Sequence, residues 1–371
     1  MKVLVDISSA PDKCGWNTGL IRYAMNVLDG FAALGLKDIH ILTTSLWKDY
    51  VKERFPEFNV QYFTRLPRIP VLDKPKGYVD SFRRRKAINN SGCDVVFMPF
   101  LGKRFDYRKV IIPLVLTVHD LQLYRITKPL NSFITKKLQF PLLIRRSTRL
   151  IAITDFVKKD TISFFKNVPE EKVVVIHNGV NLPEIEGPLP FAKDEKYILT
   201  VNSLTEYKNI ITLVKAFNTL KDKIPHKLVI VGRTTEYWNN VIAPYVSSNN
   251  LDDRVIHLEN LENGVLWGLY KHTSLFVSTS TMEGFGYTPV EAAIAGAKVI
   301  STNMTALPES TMGLVNYYEP ATDPLALAEK IMETLDKEDY KERQLISSAL
   351  KKKYDYVDRA HDVYSLLKSI L

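Results

Sequence analysis

Residues 278–296 read STSTMEGFGYTPVEAAIAG and follow directly on the apolar run Leu275–Ser278. The stretch leaves a strand and opens a helix. Thr288-Pro289-Val290-Glu291 has the order of a capping box: a capping hydroxyl, proline at the first helical position and glutamate at the third. That order accounts for Thr288, Pro289 and Glu291 without any ligand. It leaves Glu283 unexplained, and also Gly284 and Gly286, which flank Phe285. Bare backbone in front of a helix N-terminus suits a diphosphate, because outward amides and the helix dipole both favour an anion. Glu283 and Glu291, one on each side, are able to accept hydrogen bonds from sugar hydroxyls.

On both sides of this stretch, strand-like and helical patterns alternate. In the second half, strands are expected at Tyr197–Val201, Leu228–Val231, Val255–Leu258, Leu275–Ser278, Lys298–Ser301 and Leu314–Tyr317. In the first half they are expected at Val3–Ile7, Ile39–Thr44, Val60–Phe63, Asp94–Met98, Ile111–Val118, Leu150–Thr154 and Val173–His177. Helical stripes such as Leu20, Ala24, Val27, Leu28, Phe31 and Leu34 lie between them. Strands separated by helices imply right-handed crossovers and parallel sheets. Leu182–Lys196, with Pro183, Gly187, Pro188 and Pro190 among acidic residues, has a linker's composition. The fold class is therefore α/β: two tandem Rossmann-like, doubly wound domains at 1–181 and 197–354, joined by a linker at 182–196. A C-terminal helix at about 355–371 is expected to pack back on the first domain. A ligand cleft is expected where the strand C-termini of the two domains face each other.

Composition is that of an ordinary globular chain: of 371 residues, 46% are hydrophobic and 25% charged, which excludes disorder and fibres. Two cysteines, Cys14 and Cys93, form neither a disulfide framework nor a structural zinc site, so a reducing compartment is expected. MKVLVDISS reads as a buried strand rather than a signal peptide, and no apolar run reaches the ~20 residues that span a bilayer. A cytoplasmic protein is expected. The net charge of +9 is unevenly spread: residues 1–180 hold 30 Lys and Arg against 16 Asp and Glu, and the rest hold 20 against 25. A basic front half suggests an anionic neighbour: nucleic acid, a membrane surface or a phosphorylated substrate.

A second glycine loop, Gly15-Trp16-Asn17-Thr18-Gly19, precedes the first helix; Thr18 is placed to cap it, and Gly19 lets a phosphate or sugar approach backbone. Its spacing is neither the dinucleotide fingerprint nor a Walker sequence.

Taken together these segments resemble glycosyltransferase family 4, the large group of retaining enzymes with the GT-B fold. Glu283 and Glu291, with seven residues between them in E-G-F-G-x-x-x-x-E-A, are similar to its signature. Other stretches follow the family's order: Thr18-Gly19 to Tyr23, Thr117-Val118-His119-Asp120-Leu121, Ile153–Phe156, Ile176–Val180, Lys208-Asn209 and Leu307-Pro308-Glu309. The resemblance covers nearly the whole chain.

The resemblance implies a nucleotide-diphospho-sugar donor held mainly by the second domain. Glu291 would take the ribose diol, and Glu283 with the backbone of Gly284, Phe285 and Gly286 the transferred sugar. Tyr287 and Thr288 amides would meet the diphosphate, Lys208 would neutralise the leaving phosphate, and His119 would face the sugar's outer hydroxyls. Gly19 would approach the donor through its backbone. Three positions depart from the family. Asn202-Ser203 stand where Gly-Arg is usual, with Arg233 a candidate substitute cation; Gly19-Leu20-Ile21 lacks a second glycine; and Glu259 stands where glycine is frequent in the base-reading loop. No D-x-D pair occurs, so no metal and no further cofactor are expected.

Competing readings are a nicotinamide oxidoreductase, which lacks its glycine fingerprint here, and a nucleic-acid-binding protein, suggested by Arg83-Arg84-Arg85-Lys86 and Arg145-Arg146 but set in no reading module. A soluble sugar-phosphate synthase is the nearer rival. The apolar and basic mixture of Asn131–Leu150 fits an anionic membrane surface, and with it a polyprenyl-diphosphate-linked glycan as acceptor.

Overall fold

The structure is a computed structural model that describes residues 1–10, 19–66, 73–100, 109–125, 140–192 and 194–371. Cys14, the 15–18 loop with Thr18, and residues 131–139 of the 131–150 segment, Lys136 and Lys137 included, lie outside the described residues. The chain divides into two compact units, Met1–Gly179 with Tyr354–Leu371, and Val180–Lys353.

Unit 1 is built on strands β1 (Val3–Asp6), β2 (Ile39–Thr44), β3 (Asn59–Phe63), β4 (Val95–Met98), β5 (Leu114–Val118), β6 (Arg149–Ala152) and β7 (Val173–Val175). All pair parallel, in the order β3-β2-β1-β4-β5-β6-β7. Its helices up to the unit boundary are α1 (Gly19–Ala33), α2 (Lys48–Arg54), α3 (Asp73–Asn89), α4 (Gln122–Arg125), α5 (Phe140–Arg146) and α6 (Asp155–Phe164). β1, β4 and β5 are buried at every position, which is why they read as continuous apolar runs rather than alternating ones. β5 begins later than expected: Pro113 has no ladder donor, and Ile111 is 74% exposed.

Unit 2 carries β8 (Tyr197–Val201), β9 (Lys227–Val231), β10 (Val255–Leu258), β11 (Leu275–Ser278), β12 (Val299–Thr302) and β13 (Asn316–Tyr318), also all parallel, in the order β10-β9-β8-β11-β12-β13. Around them lie α7 (Ile210–Leu220), α8 (Ala243–Ser248), α9 (Asn263–His272), α10 (Tyr287–Ile294), α11 (Leu307–Ser310), α12 (Pro324–Asp336) and α13 (Tyr340–Lys353). In both units the order reverses beside the first strand, at β1/β4 and at β8/β11, where open α/β sheets leave a crevice for ligands.

The proline-containing segment 182–196 belongs to unit 2, where a Cβ on Gly187 would stand 2.8 Å from the Val265 amide of α9. The last helix, α14 (Tyr356–Lys368), belongs to unit 1. It lies against α1 where Gly30 has no side chain; a Cβ there would stand 2.3 Å from that of Ala360. Ala360, Val363 and Leu367 join the core of α1, β1 and β2.

The candidate donor site of unit 2

β8 leaves the sheet at Val201, and a single 3-10 turn, Glu206–Lys208, leads into α7. Asn209 makes the junction with φ +53°, a conformation asparagine tolerates better than most residues. Its amide donates to the Ala321 carbonyl at 2.9 Å, and its Oδ1 accepts from Thr212 at 2.8 Å. The turn is stitched to the loop after β11. Thr279 Oγ1 donates to the Lys208 carbonyl at 2.8 Å, while the amide and hydroxyl of Thr281 donate to the Tyr207 carbonyl at 2.9 and 3.0 Å.

This stitching brings Lys208 and Glu283 together. Nζ of Lys208 lies 2.5 Å from Oε1 of Glu283, and both side chains are about nine-tenths buried, at 11% and 12% exposure. The Glu283 amide donates to Thr305 Oγ1 at 3.0 Å, which orients the loop from the other side. An ammonium carries three donors, so the bond to Glu283 leaves Lys208 able to bind an anion as well.

α10 does not begin as the capping box predicts. Its N-cap is Gly286, at φ +85°, and no side chain caps it. Thr288 lies inside the first turn, and Glu291 lies in the body of the helix. A capping threonine would need an extended backbone, whereas the left-handed turn at Gly286 starts the helix two residues earlier. The amides of Tyr287 and Thr288 thus stand in the first turn of a helix that opens on a glycine. Glu291, 1% exposed, accepts a hydrogen bond from Tyr270 of α9 at 3.1 Å. Phe285 is also buried, its ring 5.1 Å from that of Tyr287, so toward a ligand it offers backbone rather than ring.

The remaining second-half residues are more scattered. Asn202 donates its amide to Val231 at 3.0 Å, and its side-chain Nδ2 is buried without a partner among the described residues. Ser203 and Arg233 are exposed, and the charge of Arg233 acts on Glu259.

In unit 1, His119 stands just beyond the C-terminal end of β5 and Gly19 opens α1 at the surface. His119 Nε2 lies 2.7 Å from the Pro99 carbonyl, so Nε2 carries the proton and donates, leaving Nδ1 as the ring's acceptor. Burial pushes its pKa down to about 4 against the opposing effect of that hydrogen bond, so the ring is neutral near pH 7. Tyr23 packs edge-on against it at 4.8 Å.

One expected surface residue is not on the surface. Arg84, in the basic run Arg83–Lys86 that suggested a nucleic-acid surface, is buried, its Nε donating to Asp6 Oδ2 at 2.7 Å with side-chain exposures of 5% and 0%. The periodicity of α3 turns it toward Asp6 at the end of β1, while Arg83 and Lys86 remain exposed. Sequence reading also passed over Tyr207, Thr279, Thr281, Thr305 and Tyr270, whose roles rest on backbone carbonyls and distant partners that leave no local pattern. Among the described residues, no three His, Cys, Asp or Glu side chains group as metal ligands.

Two parallel-sheet Rossmann-like units, each with its loops at the strand C-termini, define the GT-B class of glycosyltransferase folds. The model for glycosyltransferase family 4 matches residues 18–184, and that for glycosyl transferases group 1 matches residues 182–353. The chain belongs to glycosyltransferase family 4. It is similar to the O-antigen chain mannosyltransferase RfbU of Salmonella typhimurium, 29% identical over 208 residues that cover 55% of this chain and 56% of that protein. An uncharacterised glycosyltransferase of Methanocaldococcus jannaschii is 30% identical over 182 residues, 46% of each chain. The chain thus spans about half the length of these curated relatives in the matched regions. Among solved structures, Anabaena HepE in complex with UDP and glucose superposes with a TM-score of 0.73 over all of both chains at 16% identity, a likeness of fold.

Proposed function

We propose that this chain is a retaining glycosyltransferase that moves a hexose-type sugar from a nucleotide-diphospho-sugar to a glycan acceptor in cell-surface polysaccharide assembly. The observation that carries the reading is the meeting of Lys208 and Glu283, 75 positions apart, beside the uncapped start of α10. A cation, the N-terminus of a helix and a carboxylate in one place match the needs of a diphosphate joined to a sugar. The mannosyltransferase name of RfbU and the UDP and glucose bound by HepE support the same class of donor and product.

In this reading Lys208 and the Tyr287 and Thr288 amides hold the diphosphate. Glu283 and the backbone of residues 284–286 hold sugar hydroxyls, and Glu291 exchanges its contact with Tyr270 for the ribose diol. The bond from the anomeric carbon to phosphate breaks as the acceptor oxygen bonds on the same face. The acceptor's proton passes to the departing phosphate oxygen. Catalysis is then electrostatic stabilisation of the leaving group together with positioning. Neutral His119 offers unit 1 a hydrogen bond for a sugar hydroxyl rather than an acid. Lys208 and helix amides take the place of a bridging metal, so transfer should survive excess chelator.

The acceptor is proposed to be polyprenyl-diphosphate-linked, with the basic first half resting on an anionic membrane through exposed residues such as Arg83, Lys86, Arg145 and Arg146. No helix among the described residues is long and apolar enough to cross a membrane. Incubation of the purified chain with a panel of nucleotide sugars tests the reading directly. Slow hydrolysis of one donor, unaffected by chelator, is expected; no turnover of any donor overturns it.

A further inference from the structure

The strand ends beyond β8 carry a second polar group that the proposed chemistry does not use. Glu259 follows β10, and its Oε1 accepts a hydrogen bond from the hydroxyl of Thr234, in the loop after β9. The same oxygen lies 3.9 Å from His257 Nε2, and the carboxylate stays one-third exposed. His257 is itself fixed: its Nε2 lies 2.7 Å from the Gly232 carbonyl, and Trp238 stacks on its ring at 3.9 Å with 29° between planes. Hydrogen bonding from Thr234 and the charges of His257 and Arg233 keep Glu259 below the usual carboxylate range, so it is an acceptor and not a donor near neutral pH.

We propose that Glu259 reads the nucleobase of the donor and selects guanine, an inference that rests on the donor site proposed above. With the diphosphate at the β8/β11 crevice, the end of β10 lies two strands away, about 10 Å at ordinary sheet spacing. That is the reach of a ribose and base. Glu291 meets Tyr270 near the C-terminal end of α9, the helix that joins β10 to β11. A ribose on Glu291 therefore stands beside the β10-to-β11 connection, and its base is taken to extend toward the end of β10. A carboxylate discriminates sharply among bases. Guanine presents two adjacent donors, N1–H and the 2-amino group, and satisfies both oxygens. Uracil offers one N–H between two carbonyl oxygens that a carboxylate repels. Adenine and cytosine each set a ring-nitrogen lone pair beside their amine.

Calorimetric titration of the whole chain with GDP, IDP, UDP and ADP tests this without any substitution. IDP lacks only the 2-amino group, so GDP should bind roughly 10- to 150-fold more tightly, the range of one charge-assisted hydrogen bond. UDP and ADP should bind more weakly still. Glu259→Gln keeps the shape and an acceptor for Thr234, and should close the gap between GDP and IDP while leaving UDP within about threefold. A purely structural role would weaken all the nucleotides together and leave the GDP-to-IDP ratio unmoved. Equal affinity for GDP and UDP in the unaltered chain, or a GDP-to-IDP gap that survives Glu259→Gln, overturns the proposal. Failure of all four nucleotides to bind overturns the donor site itself, and this inference with it.

Discussion

Each unit holds an ion pair near the C-terminal ends of its central strands, and the two pairs differ in what surrounds them. Asp6 and Arg84 in unit 1 are sealed, with exposures of 0% and 5%. Asp6 takes further hydrogen bonds from the amide and hydroxyl of Ser8 at 3.0 and 2.6 Å, so its charge is met from several sides. Lys208 and Glu283 in unit 2 keep a tenth of their surface and sit on loops beside an uncapped helix. Similar chemistry therefore serves two ends. A closed pair with satisfied lone pairs holds loops and helices in place, whereas a pair that keeps a tenth of its surface beside a helix N-terminus can trade partners with a ligand.

The sharpest way to break this comparison is to remove one cation from each pair. Arg84→Ala leaves Asp6 charged, buried and deprived of its countercharge, and should lower stability by about 3–5 kcal/mol in denaturant unfolding. A loss below 1 kcal/mol would make the two pairs alike. Lys208→Ala should cost less in stability, because Glu283 retains access to water. Its effect belongs to turnover: losing a charge-assisted hydrogen bond of about 1.5–3 kcal/mol should slow transfer roughly 10- to 150-fold. Full activity in that variant would reduce the open pair to a second structural one.

Gly286→Ala tests the helix start. A side chain at φ +85° costs about 1–2 kcal/mol, and a Cβ there would stand 2.5 Å from Leu307 Cδ2. Stability should fall by at least that amount, and donor binding should weaken with it as the first amides of α10 turn away. The smallest effect concerns His119. Its folded pKa, about 4, lies below the value of about 6.5 for an unfolded histidine, so the unfolded chain binds the extra proton first. Stability from this group is present above pH 6.5 and falls as pH drops toward 4, by roughly 1 kcal/mol between pH 6.5 and 5.5. His119→Asn should flatten that part of the pH–stability curve; an unchanged slope would mean that the ring is not held neutral by its surroundings.

Much of this molecule is legible in its sequence, for reasons that lie in period and punctuation. Buried parallel strands appear as apolar runs, as at Val3–Val5 and Leu228–Val231, and amphipathic helices as stripes, as at Ile210–Leu220. The helix of residues 287–294 was legible as a helix but not its start. Thr288-Pro289-Val290-Glu291 satisfies the local rule for a cap, yet Gly286 competes from two residues upstream, and local spacing does not say which start packs better against Leu307.

What the sequence determined by itself is the architecture and the inventory: two α/β halves, a basic half and an acidic one, and a glutamate pair around a glycine turn. These depend on neighbours within a few positions, where backbone geometry sets which side chains share a face. Which charges meet was decided only by the tertiary structure. Lys208 reaches Glu283 across 75 positions, and Arg84 reaches Asp6 across 78. Parallel crossovers carry the chain far away before returning it beside an earlier strand, so contacts at that separation follow from strand order and helix packing and leave no periodic trace in the residues that make them.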